Sequence, residues 1–126
     1  MPLLPCPLLI GGEWIAVGGV PTTPVHNPSV GAVIAETPGC GADVVDQAVR
    51  AAAAAFPAWM ETPPVERARI LFRLKVLLED HFEELARSVT LEHGKTLAEA
   101  RGDVRRGLEN IEYACGAPSL LMGESL

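Results

Sequence analysis

A chain of 126 residues with 16 acidic and 10 basic side chains, net charge −6, lacks the clustered Lys and Arg that bind phosphate backbones, which argues against a nucleic-acid partner. The length fits one domain able to bury ~65% of its unfolded surface, and 48% hydrophobic residues with 5% aromatics predict an aliphatic, alanine-rich core. Cys6, Cys40 and Cys115 lie far apart with no CxxC or zinc spacing, no positively charged leader precedes them, and no apolar run reaches membrane length, so reduced thiols in the cytoplasm, with no metal and no membrane, are expected.

Residues 1–7, with prolines at 2, 5 and 7, read as a flexible leader. Leu8 to Ile10 and Glu13 to Val17 read as two strands around Gly11-Gly12, since glycine tolerates the positive φ of a tight hairpin. Asn27-Pro28-Ser29-Val30-Gly31 is a turn cluster, and Ala32 to Thr37 another short strand. The first third is therefore expected to be antiparallel hairpins.

Three helices are expected to follow. The first runs from Val44 to Phe56 with Asp43 as N-cap, places Val45, Ala48, Val49, Ala52 and Phe56 on one face, and is ended or kinked by Pro57. The second is capped by Thr62, starts on Pro63 and carries an unbroken stripe through Leu71, Leu74, Leu78, Phe82, Leu85 and Val89 to about Glu92. Gly94 is its expected C′ residue. Thr96 and Glu99 then form a capping box for the third helix, whose stripe is Leu97, Ala100, Val104, Leu108, Ile111 and Cys115. Gly116 and Pro118 stop it, and no further element is expected.

Few residues carry chemistry. Cys115 falls on an apolar stripe at a helix C-terminus, which disfavours a thiolate, so it reads as a buried structural thiol rather than a nucleophile. Cys6 and Cys40 read as structural too. Gly94-Lys95-Thr96 echoes a Walker A end, but the residue five before Gly94 is Val89, so a P-loop is rejected. No GxGxxG occurs, and His26, His81 and His93 read as isolated surface or capping residues. Arg105 and Arg106 sit among solvated helix positions. Arg106 lies between Val104 and Leu108, and periodicity does not choose between a solvated charge and a bidentate carboxylate ligand.

Ile10-Gly11-Gly12-Glu13-Trp14, Asn27-Pro28-Ser29-Val30-Gly31, Ala48 through Trp59, and Glu92-His93-Gly94-Lys95-Thr96 stand in order and at intervals that resemble the opening of an aldehyde dehydrogenase. Gly102-Asp103-Val104-Arg105-Arg106-Gly107, Glu112 through Cys115 and Ala117 through Leu126 resemble the coenzyme A-acylating branch acting on methylmalonate and malonate semialdehydes. The resemblance implies an α/β parent fold in which residues 8–126 form the N-terminal portion of a Rossmann-like NAD-binding domain. It implies a full-length enzyme in which a cysteine thiolate attacks the aldehyde, hydride passes to NAD, and the thioester loses its carboxylate and moves to coenzyme A, giving propionyl-CoA or acetyl-CoA.

The resemblance also implies that Arg106 holds the substrate carboxylate. It places the nucleophile, the oxyanion-hole asparagine and the nucleotide contacts in parts of the family chain that follow these motifs. This chain alone is therefore expected to have no catalytic, cofactor-binding or metal residues, to bind neither NAD nor coenzyme A, and to be inactive. Its expected partner is the remainder of its own dehydrogenase chain, in a homo-oligomer. The alternatives are a piece of a non-acylating aldehyde dehydrogenase and a non-catalytic helical interaction protein.

Overall fold

The computed structural model describes residues 3–124, which divide into two compact units on either side of the Glu61–Thr62 bond. The first unit holds two antiparallel hairpins and one helix. Strands β1 (Leu8–Ile10) and β2 (Glu13–Ile15) pair with Ile10 opposite Glu13, and Gly11 and Gly12 turn at φ 63° and 86°. A residue with a Cβ would be strained at both positions.

Strands β3 (Thr22–Asn27) and β4 (Ala32–Pro38) form the second hairpin, with a register irregularity between Val25 and His26. Asn27 organises its turn, accepting from Gly31 N at 2.8 Å through its carbonyl and from Ser29 N at 2.9 Å through Oδ1. Within the segment expected as a leader, Leu4 N donates to Ile34 O at 2.8 Å and Leu4 bridges Ala35 in parallel. Ile10, Ile34 and Ala35 are the buried apolar residues here.

Helix α1 (Ala42–Glu61) starts before Asp43, which lies in its first turn rather than capping it. It also runs through Pro57. The proline ring removes one donor, but Ala53, whose carbonyl would have accepted it, is exposed to water. The expected apolar face is uncovered: Val45, Val49 and Phe56 are exposed, while Val44, Ala48 and Ala51 are part-buried.

The second unit is helical. The expected long second helix is two: α2 (Pro64–Asp80) and α3 (Phe82–His93), divided at His81 with φ −101° and ψ 15°. Like-charged Glu79/Glu83 and Asp80/Glu84 straddle this residue at i,i+4 spacing, a pairing that disfavours continuous helix. His81 Nδ1 lies 2.9 Å from Glu84 Oε2 across the break. Pro63, not Thr62, is the residue flanking the α2 start.

Gly94 ends α3 at φ 80°, with its N–H on Thr90 O at 2.9 Å. The capping box then opens α4 (Leu97–Cys115): Glu99 N donates to Thr96 Oγ1 at 3.3 Å and Thr96 N donates to Glu99 Oε2 at 3.0 Å. Helix α4 packs on α2 and α3 with Ala100, Leu108 and Cys115 buried, as its stripe predicts. Ala86 on α3 and Ala100 on α4 have no solvent exposure, so small side chains permit close packing there. After Gly116 a short α5 (Ala117–Leu120) folds against α2 and α4, where no element was expected. Pro118 sits in its first turn, where the missing donor costs nothing.

Candidate functional site

Three arginines on α4 have different fates. Arg101 grips Glu83 of α3 with two donors, Nε to Oε1 at 2.7 Å and Nη2 to Oε2 at 2.8 Å. One turn later the Arg105 guanidinium lies over the Phe82 ring, 5.0 Å from its centroid. Arg101 and Arg105 are thus spent on joining α4 to the start of α3. Arg106 is rotated away by one residue, and its side chain is 72% exposed.

Among the described residues Arg106 makes a single polar contact, from Nη2 to Asp103 Oδ1 at i,i+3. Asp103 is itself held through Oδ2 by Lys95 Nζ. Lys95 lies in the turn between α3 and α4, just before the Thr96 cap, and its side chain reaches two turns up the helix. Side-chain exposure rises along this relay, from 21% at Lys95 to 30% at Asp103 and 72% at Arg106. The anchor is part-buried and the end is free to meet a solute. The hydrogen bond from Lys95, chiefly, holds the Asp103 carboxyl below its usual value, against the partial burial that would raise it. Nearby, hydrogen bonds from the Thr96 side chain and backbone lower Glu99.

A guanidinium offers two edges of two donors each, and the edges share Nη2. Asp103 takes one Nη2 hydrogen, so one complete edge of Arg106 remains for a second carboxylate, with Nε or Nη1 as its other donor. The arrangement can therefore bind a carboxylate. It cannot attack a carbonyl or accept hydride.

The other candidates stay apart from this relay. Cys115 is buried on the α4 stripe, and Cys6 and Cys40 are part-buried with their thiols near the Leu4 and Pro38 carbonyls. Among the described residues no group of three or more His, Cys, Asp or Glu could hold a metal, and no helix is long and apolar enough to cross a membrane. A groove of 280 Å³ between α2, α3 and α4 is lined by Leu78, Leu85, Val89, Val104, Leu108 and Ile111, with Ser88 as its one side-chain hydroxyl. Sequence reasoning singled out Arg106 but not its support. The i,i+3 spacing of Asp103 was a usable signal. Lys95 reaches Asp103 across a turn, which no periodicity reports.

The sequence profile of the aldehyde dehydrogenase family matches residues 14–126. Malonate-semialdehyde dehydrogenase 2 of Oceanobacillus iheyensis is 52% identical over 117 residues, 93% of this chain and 24% of the relative. The crystal structure of methylmalonate-semialdehyde dehydrogenase from Oceanimonas doudoroffii superposes with a TM-score of 0.86 at 45% identity, covering 92% of this chain and 24% of that one. A Sinorhizobium meliloti structure solved with NAD superposes with a TM-score of 0.83 at 37% identity, covering 89% and 23%. The chain thus spans about a quarter of the length of the relatives it matches.

Proposed function

This chain belongs to the aldehyde dehydrogenase family, and from that premise we propose that it is part of an NAD-dependent, coenzyme A-acylating dehydrogenase of malonate or methylmalonate semialdehyde. The observation that carries the reading is 52% identity to a malonate-semialdehyde dehydrogenase over 93% of the chain. Arg106 is the substrate-carboxylate ligand in this proposal. Its exposed guanidinium keeps a two-donor edge, and both semialdehydes carry one carboxylate.

The described residues do not fit a dinucleotide. Both sheets are two-stranded and antiparallel, so no parallel strand feeds a helix N-terminus. The β4–Gly39-Cys40-Gly41–α1 junction places Asp43 in the first helical turn, its Oδ1 2.7 Å from where a Cβ on Gly41 would lie. A carboxylate there repels a phosphate. NAD and coenzyme A are accordingly assigned to the rest of the dehydrogenase. With no nucleophile or hydride acceptor in place, this chain by itself is inactive in the proposal. The remainder of the polypeptide is its partner, and it covers the exposed apolar side of α1.

The test is Arg106→Ala in the dehydrogenase carrying this segment, assayed with malonate semialdehyde and with propanal. A charge-assisted hydrogen bond contributes about 1.5–3 kcal/mol, so KM for the semialdehyde should rise roughly 10- to 100-fold while KM for propanal stays put. An unchanged semialdehyde KM would remove Arg106 from the site.

A further inference from the structure

We propose that Asp103, anchored by Lys95, is a positioning residue that presents the free edge of Arg106 to the substrate carboxylate. The inference rests on the reading of Arg106 as carboxylate ligand and adds to it the device that aims the guanidinium. An exposed arginine on a helix has many rotamers, and ordering it on binding costs affinity. Arg106 is 72% exposed, yet its Nη2 is tied to Asp103. Asp103 has its other oxygen on Lys95, which is 21% exposed and fixed between the Gly94 turn and the Thr96 cap. The tether thus runs from a capped interhelical turn to an exposed head group.

Both Asp103 oxygens are engaged, one by each cation. The carboxylate therefore keeps a second cation, Lys95, when Arg106 shares its charge with another anion. The three side chains together carry one net positive charge, which suits a monoanionic substrate. Arg101 and Arg105 are directed instead toward α3, one onto the Glu83 carboxylate and the other over the Phe82 ring.

The sign of one effect separates positioning from plain charge. If Asp103 were merely a negative charge near the site, removing it would strengthen binding of an anionic substrate. If it positions Arg106, removing it weakens binding. The experiment is steady-state kinetics of the complete dehydrogenase carrying this segment, with malonate semialdehyde and propanal, for Asp103→Ala, Asp103→Glu, Lys95→Met and Arg106→Ala, and for Asp103→Ala combined with Arg106→Ala. Positioning predicts that Asp103→Ala raises KM for the semialdehyde about 3- to 10-fold, with kcat and the propanal KM unchanged. Lys95→Met should give a smaller rise in the same direction, and Asp103→Glu should recover part of the loss. In the Arg106→Ala background, Asp103→Ala should add nothing, since two residues acting as one unit are non-additive.

A semialdehyde KM that is unchanged or lowered in Asp103→Ala overturns the inference, provided Arg106→Ala raises it. A fall in kcat with both substrates alike overturns it too, as that marks a general structural role. If Arg106→Ala leaves the semialdehyde KM unchanged, the underlying reading of Arg106 fails, and the inference with it.

Discussion

Leu108→Ala tests the packing that holds α4 in place. Leu108 is the largest fully buried side chain among the described residues, 2% exposed, and it lines the groove with Leu78, Leu85, Val89, Val104 and Ile111. Truncating a buried leucine removes its transfer free energy and leaves a cavity, together about 2–5 kcal/mol. The adjoining 280 Å³ groove is open at one side, so water can enter the new space and the loss should fall near the lower end, about 2–3 kcal/mol. A unit the length of Thr62–Leu126 is expected to be stable by roughly 3–10 kcal/mol, so the change removes about a fifth of it at the least. Urea titration followed by far-UV circular dichroism reads the effect. With a slope of about 1 kcal/mol/M for a unit this small, the midpoint should fall by about 2–3 M. Leu120→Ala is the control, because Leu120 is 80% exposed and its truncation should cost less than about 0.5 kcal/mol. Equal midpoint shifts for the two variants would refute the placement of α4.

Thr96→Ala removes one half of the capping box and should destabilise α4 by about 1 kcal/mol, while Thr96→Ser should retain most of the cap; indistinguishable melting curves for the two would argue against it. Hydrogen bonds from Arg101, Thr96 and Lys95 lower the carboxyl groups of Glu83, Glu99 and Asp103 respectively. Depressed carboxyls stabilise the fold above their unfolded values, so the melting temperature should hold from pH 7 to about 5 and drop as pH falls through the lowered range below about 4. Asp103→Asn should flatten that drop, and an unaltered acid limb would show that Asp103 does not contribute. Phe56→Ala, on the uncovered side of α1, should cost under about 1 kcal/mol in this chain but about 3–5 kcal/mol in the complete dehydrogenase, and a small cost in both would show that nothing covers that side.

Local signals carried the sequence reading where one residue dictates one geometry. Gly11-Gly12, Gly94 and the Thr96/Glu99 pair each adopt the expected conformation, because positive φ and cap hydrogen bonds are set within a few residues. The α4 stripe was legible because its partners lie in the same unit, and Ala100, Leu108 and Cys115 are buried as its spacing requires. The α1 stripe was equally clear, but Val45, Val49 and Phe56 are exposed. Periodicity reports which face is apolar and not whether its partner is present. Helix ends were less legible. Pro57 has a water-exposed acceptor four residues earlier and does not stop α1, whereas α2 and α3 divide at His81 without proline or glycine, in a run of acidic residues.

The site was half legible for the same physical reason. Arg106 stood out by resemblance, and its relation to Asp103 is local, but the Lys95 contact depends on how the Gly94 turn sets α3 against α4. That turn links fold to function. Left-handed Gly94 reverses the chain, Lys95 leaves the reversal pointing along α4, and the Thr96 cap fixes the start of the helix on which Asp103 and Arg106 ride. Glu83 and Phe82 then draw the adjacent arginines Arg101 and Arg105 toward α3, while Arg106 pairs within α4 and extends into solvent. A rotation of α4 by one residue, about 100°, would exchange these roles. The buried contacts of Ala100 and Leu108 oppose such a rotation, so the core of the helical unit also selects which arginine extends into solvent.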